Sequence, residues 1–230
     1  MNNNSGNKHS NLFLYMCVAF VGCLLLSNLI TGKLIQVFGM VFTAGLIIFP
    51  ITYILGDVFT EVYGFSNSRR IIWIGFVCNF FAVLIYLATL SLPYPEYWDN
   101  QNAYVTVLGI TPRIFIASLV AYLFGSFLNA IVLSKMKVTM NGKWLWCRTI
   151  SSSLIGHAFD TVIFITVTFY GIYDTSIIWQ MILFEFIYKI SYEVLLTPAT
   201  CFFINRIKKI ENVDVYDVGE KYNPFQLKNK

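Results

Sequence analysis

Three short stretches of this 230-residue chain set ionisable side chains at helical spacing inside otherwise apolar sequence. "GDVFTEVYG" carries Asp57 and Glu61, four residues apart. "GHAFDTV" carries His157 and Asp160, three apart. "FEFIYKISYEV" carries Glu185, Lys189 and Glu193 at successive intervals of four. Residues so spaced share one helix face, so three helices each present a polar stripe. Glu–Lys pairs at this spacing attract, and the third stripe also reads as a self-satisfying packing triad with a secondary, gating role. Glu61 lies close enough in sequence to Arg69 and Arg70 to pair with them. Asp57 and Asp160 have no nearby cation in sequence, which makes them the stronger candidates for a functional cavity. Carboxylates accept hydrogen bonds from N–H groups, amides such as Asn28 and Asn129 donate and accept, and rings such as Phe49 and Tyr53 stack on flat heterocycles. Such a set suits a planar, N–H-rich small molecule or a cation better than an anion such as phosphate.

An enzymatic reading is weaker. His157 and Asp160 have the makings of an acid/base pair in an intramembrane enzyme. No nucleophile or metal ligand stands beside them at helical spacing, however, and no H-E-x-x-H, G-x-S-x-G or P-loop pattern occurs. Neither a metal nor a cofactor is expected. The five cysteines, Cys17, Cys23, Cys78, Cys147 and Cys201, form no C-x-x-C pair, and most sit within apolar runs; they read as small hydrophobes.

The elements that must position these residues follow from composition. The chain is 57% hydrophobic and only 12% charged, against about 25% charged in soluble domains. Long apolar runs recur, which implies an all-α polytopic membrane protein. Six spans are expected, at 12–30, 41–63, 71–92, 114–134, 150–170 and 177–205. They form one transmembrane domain, 12–205, between cytoplasmic tails 1–11 and 206–230. The first run lacks an A-x-A-like cleavage site and reads as an uncleaved helix. Pro50 removes a backbone hydrogen bond early in the second span and reads as a kink.

Charge fixes the expected orientation. Lys8, Arg69, Arg70, the basic run 135–148 and the basic C-terminal tail fall on one side, and only Lys33 and Arg113 on the other. The positive-inside rule then puts both termini in the cytoplasm, with Arg69 and Arg70 as topological anchors. The loop between the third and fourth spans, rich in Pro, Trp and Tyr, suits the headgroup level. "LGDVFTEV" also echoes "IGHAFDTV", with Asp57 matching His157 in the second and fifth spans. Those spans run in opposite directions, as an inverted three-helix repeat with a midplane site requires.

The stretches "SNLITGKLIQVFG", "FPITYILGDVFTEVYGFSNSRR", "RIFIASLVAYLFGSFLNAIVLSKMK" and "GKWLWCRTISSSLIGHAFDTVIFITVTFYG" give the chain a resemblance to the queuosine-precursor transporter family, also described as vitamin-uptake-transporter-like. The resemblance implies a six-helix importer of 7-deazaguanine bases, such as 7-cyano-7-deazaguanine or queuine, in the inner membrane of a bacterium, working by alternating access and feeding tRNA modification. It carries substrate-site roles to Asn28, Lys33, Asp57, Glu61, Asn129, His157 and Asp160, with Phe49 and Tyr53 added from the residues themselves. One carboxylate can accept from both donors of a guanine-like edge. Glu61 and His157 are assigned to gating or proton coupling. The expected partners are a planar base and the lipid bilayer, with a homodimer left open and no direct contact with nucleic acid. An ATPase module is not expected, because the first span lacks the Ala-x-x-x-Ala pattern with which vitamin-binding subunits meet their coupling protein. An ATPase-coupled substrate-binding subunit, an intramembrane enzyme and a structural scaffold remain the rival readings.

Overall fold

The computed structural model of the protein describes residues 10–31, 33–37, 40–109 and 112–226. Most of the expected N-terminal tail, with Lys8, and the last residues of the C-terminal tail lie outside the described residues. The frame is helical: α1 (Asn11–Ile30), α2 (Phe49–Tyr63), α3 (Phe65–Ser91), α4 (Gln101–Leu108), α5 (Pro112–Thr139), α6 (Leu145–Phe169) and α7 (Thr175–Glu211). The exception to the all-α frame is an antiparallel hairpin, β1 (Leu34–Val37) with β2 (Met40–Thr43), followed by a 3₁₀ turn, Ala44–Ile47.

Among the described residues, four stretches are long and apolar enough to cross a membrane: Asn11–Ile30, Phe65–Ser91, Gln101–Thr139 (which holds α4 and α5) and Leu145–Phe169. With this many apolar helices the protein is a multi-pass membrane protein. The two remaining long helices differ from those four for opposite reasons. α2 has 15 residues, or ~22 Å at 1.5 Å each, short of a bilayer core of about 30 Å. α7 has 37 residues, ~55 Å, but carries the Glu185–Lys189–Glu193 stripe.

Several expected boundaries are corrected. The second span does not begin as a helix at 41, because the β-branched and aromatic run before it pairs as β2 and then turns. Pro50 therefore opens α2 instead of kinking it, where its missing N–H has no partner to lose. The proline inside a helix is Pro198 of α7. The loop after α3 is not wholly irregular, since it contains α4.

α1 starts, α2 ends, α3 starts, α5 ends, α6 starts and α7 ends at one end of the bundle, called the basic end below. Phe13, Phe20, Val58, Phe59, Tyr63 and Ile204 pack together there and upward into the bundle, with the Phe13 ring edge-on to Tyr63 at 4.7 Å. Gly64, at φ +82°, makes the turn from α2 to α3, and a Cβ there would meet Val215 at 2.7 Å. At the opposite end the Arg113 guanidinium donates to the carbonyls of Val167 (2.6 Å) and Tyr170 (2.5 Å). It thereby caps the C-terminus of α6, where unpaired carbonyls favour a cation.

The C-terminal segment is not a free tail. Val215 N–H donates to the Val62 carbonyl (3.0 Å). The Asp217 carboxylate accepts from Phe65 N–H (2.9 Å) at the start of α3 and from Ser134 Oγ (2.5 Å) on α5. The Asn223 and Pro224 carbonyls accept from Arg69 and Trp73. Residues 212–226 thus strap the basic ends of α2, α3 and α5 together. Its polar composition gives no apolar period to read, which is why the strap was invisible as sequence.

Candidate functional site

The site is built on a close approach of α5 and α6. A Cβ on Gly156 would lie 2.9 Å from both the Gly125 carbonyl oxygen and Asn129 Cβ, and one on Gly125 would lie 2.9 Å from Asp160 Cβ. Small residues let helix backbones meet in lipid. Here the contact sets Asn129 of α5 and Asp160 of α6 side by side, facing α2.

Two adjoining chambers open beside this contact. The basic-side chamber is walled by Tyr53, Thr60, Ser68, Tyr122, Asn129 and Asp160 among others. The hairpin-side chamber is walled by Asn28, Thr31, Ser118, Phe164, Glu185 and Lys189 among others. Their cavity volumes, about 30 and 90 Å³, are below the about 300–1,000 Å³ usual for small-molecule sites, so a bound base requires these walls to move apart. Phe49, Tyr122 and Asp160 line both and form the partition. Because α2 begins at Phe49, the irregular backbone before it borders the cavity, where such backbone is tolerated in a membrane protein.

The partition is aromatic and charged. Phe49 and Tyr53 rings lie 5.0 Å apart. Tyr53 also lies against the His157 imidazole, 4.1 Å between centroids and tilted by 33°. The Lys189 ammonium sits 5.2 Å above the Phe49 ring. It binds Asp160 Oδ2 at 2.7 Å, Thr161 Oγ1 at 3.0 Å and Glu185 at 2.7 Å. Asp160 therefore has the cation that the sequence did not reveal, supplied from α7. The expected packing triad is correspondingly divided: Lys189 pairs with Glu185 and Asp160, while Glu193 faces His157, with 3.9 Å between Oε2 and Nε2.

Behind the basic-side chamber Asp57, fully buried, accepts from Asn129 Nδ2 at 2.8 Å. A carboxylate can only accept, so this bond fixes the amide's rotation and leaves its oxygen as the outward acceptor. Asp57 Oδ2, Asn129 Oδ1 and His157 Nδ1 are buried without a hydrogen-bond partner among the described residues. Most buried polar atoms are paired; orphans also occur elsewhere, at Glu61 Oε2 and Arg148 Nε for example, and what sets these three apart is that they gather beside the chamber wall.

Glu61 belongs to a different cluster. Its Oε1 is held by Arg148 Nη2 (2.6 Å) and Lys208 Nζ (2.7 Å), with Lys137 at 3.9 Å. Arg148 also donates to the Lys143 carbonyl. Arg69 and Arg70 are not its partners. Arg69 is buried, bonded to Asn223 O (3.1 Å), 3.5 Å from Glu220 and over the Phe65 ring. It is a structural strut between α3 and the C-terminal strap. Arg70 is half-buried.

Of the expected site residues, Phe49, Tyr53, Asn129 and Asp160 line the basic-side chamber, and Asn28 with Glu185 and Lys189 the hairpin-side one. Asn28 donates to Leu24 O and accepts from Ser118 Oγ. Asp57, His157 and Glu193 stand in the layer behind. Lys33 is exposed after α1 and is not among the residues lining either chamber. Sequence reasoning missed Tyr122, which lines both chambers and donates to Ile72 O at 3.1 Å. It also missed Arg148, Lys137 and Lys208 as partners of Glu61. Basic residues at helix ends read as topology, and nothing local marks them as buried.

Comparison with known proteins gives a consistent assignment. The chain is 27% identical over 173 residues to a "Probable queuosine precursor transporter" of Bacillus subtilis (strain 168), covering 75% of this chain and 76% of that protein. It is 26% identical over 162 residues to a protein of the same description from Haemophilus influenzae, covering 68% of this chain and 66% of that one. No solved structure matches it. Residues 43–203, from the end of β2 through most of α7, match the model of the family described as "Putative vitamin uptake transporter". That match takes in both sides of the cavity and well over half of the chain, so the protein belongs to this family of membrane transporters and not to a family of enzymes.

Proposed function

We propose that the protein imports queuosine precursors, 7-deazaguanine bases such as 7-cyano-7-deazaguanine or queuine, by alternating access. The observation that carries this reading is the orphan acceptor Asn129 Oδ1, fixed by Asp57 at the wall of an aromatic chamber. A guanine-like edge offers adjacent N–H and amino donors. Asn129 Oδ1 accepts one and Asp160, on the same wall, the other. Phe49 or Tyr53 stacks on the ring. Lys189, bound to Asp160 and standing over Phe49, answers the base's carbonyl. The similarity to two probable queuosine precursor transporters supports the same substrate class.

In this reading α2 with its hairpin and α7 complete six spans. Half-length or interrupted helices recur at transporter sites, and α2 starting beside the cavity is of that kind. α1–α3 and α5–α7 would form the inverted pair, with Gly56 and Gly156 in register. The basic end faces the cytoplasm by the positive-inside rule, in the cell membrane of a bacterium. The base passes from the hairpin-side chamber, through the Phe49–Tyr122–Asp160 partition, to the basic-side chamber.

The test is rescue of tRNA queuosine in bacteria that neither make nor import the precursors, supplied with limiting 7-cyano-7-deazaguanine or queuine and read as slowed migration in a boronate gel. Rescue by the parent chain, lost in Asn129→Ala at equal membrane expression, is the expected result. No rescue by any precursor, with the protein correctly inserted, removes the substrate assignment.

A further inference from the structure

Pairing off the buried charges leaves a remainder. Glu61 has Arg148 and Lys208, and Asp160 and Glu185 share Lys189. Asp57 and Glu193 have no lysine or arginine within ion-pair distance among the described residues. Their polar neighbours are the neutral amide of Asn129 and the imidazole of His157. All three groups are nearly or fully sequestered: Asp57 at 0%, His157 at 3% and Glu193 at 6% exposure. The surrounding titratable groups are Tyr53 and Glu61 on α2, Asp160 on α6, and Lys189 and Cys201 on α7. Of these, Glu61, Asp160 and Lys189 are already paired with opposite charge.

Two bare carboxylates sealed in a low-dielectric interior are not sustained, and such a group takes up a proton or a counter-ion instead. The orphan atoms say where a proton goes. Asp57 Oδ2 and His157 Nδ1 are both free, and His157 Nε2 stands opposite Glu193 at 3.9 Å, just beyond hydrogen-bond reach. We propose that Asp57, His157 and Glu193 form a proton-binding site at the junction of α2, α6 and α7, and that its loading couples transport to a proton gradient. The coupling half of this rests on the transport reading above; the site itself does not.

The site has a direct route to the substrate. Asp57 Oδ1 holds the Asn129 amide in its accepting orientation. Protonation of Asp57 at Oδ2 removes the negative charge that strengthens that bond and frees the amide to rotate. A proton arriving from one side therefore changes the acceptor offered to the base. It leaves to the other side when the carboxylate is restored. The exchange is a protonation and its reversal, with no other bond made or broken. Pro198, five residues beyond Glu193 in α7, leaves one carbonyl of this turn without its helical donor, which gives α7 a place to bend near Glu193.

Two measurements on the full-length protein test the proposal. In infrared spectra of purified protein at neutral pH, we expect a carboxylic-acid carbonyl band that is lost in Glu193→Gln or in Asp57→Asn. Differences confined to carboxylate bands in both variants overturn the proton site, whatever the substrate. In proteoliposomes, exchange of labelled 7-cyano-7-deazaguanine without a gradient reports binding and access, and uptake under an imposed pH gradient reports coupling. We expect Glu193→Gln to keep exchange and lose gradient-driven accumulation. Accumulation driven by sodium instead, or undiminished in Glu193→Gln, overturns the coupling. Absence of exchange in the parent overturns the transport reading and the coupling with it, and the infrared result then decides the proton site alone.

Discussion

Two buried carboxylates of the same helix, one turn apart, live in opposite circumstances. Glu61 at the basic end is met by Arg148, Lys208 and Lys137 from three further points of the chain, and the strap adds Asp214 to the same cations. Asp57 is met by one neutral amide and keeps an oxygen without a partner. The first carboxylate is neutralised through Oε1 by close cations, although its Oε2 also lacks a hydrogen-bond partner among the described residues. The second has no cation, and it stands in the layer behind the cavity wall. A satisfied buried ion pair is costly to break and does little else, whereas an unsatisfied one is held in place by its surroundings for use. The pair teaches that charge inside this membrane protein divides into a lock and a site, and that the division is made by partners and not by residue type.

The comparison is broken most severely at the lock. Arg148→Ala leaves the buried Glu61 with one close cation and is expected to cost about 3–5 kcal/mol, read as a lowered thermal midpoint in detergent. Arg148→Leu with Glu61→Leu should recover most of it. A double variant as unstable as the single one would show that the cluster is not a lock. At the α5–α6 contact Gly156→Val forces a side chain against Asn129 and the Gly125 carbonyl. Overpacking of this kind costs about 1–3 kcal/mol, and uptake should fall further than stability because Asn129 is displaced.

At the site the expected pattern inverts. Asp57→Asn removes an unpaired buried charge, so stability should hold or rise. Uptake should drop about tenfold or more, the worth of a charge-assisted hydrogen bond of ~1.5–3 kcal/mol. If Asp57→Asn unfolds the protein as Arg148→Ala does, the distinction between lock and site fails. The mildest prediction concerns the strap. Partial burial pushes the Asp214 carboxyl up, but hydrogen bonds from Lys137 and Lys208 outweigh this and hold it below the ordinary carboxylate value. With its folded value depressed, its contribution is fully present above the unfolded value and is lost as pH falls through the folded one. Hydrogen exchange of residues 212–226 should therefore stay slow on acidification through the ordinary carboxylate range and quicken only below it. In Asp214→Asn that acid step should disappear, with a change of at most about 1 kcal/mol at neutral pH for a half-exposed pair.

Much of this protein could be read from residue order. The apolar runs of α1, α3, α5 and α6 announce themselves because a span needs about 20 residues of low polarity, and Gly64 marks the turn after Tyr63, although Ser66, Asn67 and Ser68, expected in a break before a span at 71, lie inside α3. The spacing of Asp57 with Glu61, and of His157 with Asp160, fixes that each pair shares a face. The carboxyls and rings that line the chambers were legible as candidates for the same reason: an ionisable residue in an apolar run has few explanations. The hairpin before α2, the helix α4 and the strap were not legible, because short or polar segments take their structure from what they pack against.

The partners were decided only by the fold. Asp160 finds Lys189 across 29 residues, Glu61 finds Arg148 across 87 and Lys208 across 147, and Asn129 finds Asp57 across 72. Periodicity places a residue on a face of its own helix and says nothing of which face it meets. That choice was made by the Gly125–Gly156 approach and by the docking of α7 and the strap, where sterics admit one register among many. The sequence by itself determined that charges would be buried in a membrane bundle; the tertiary structure decided which of them are neutralised and which are left without a cation.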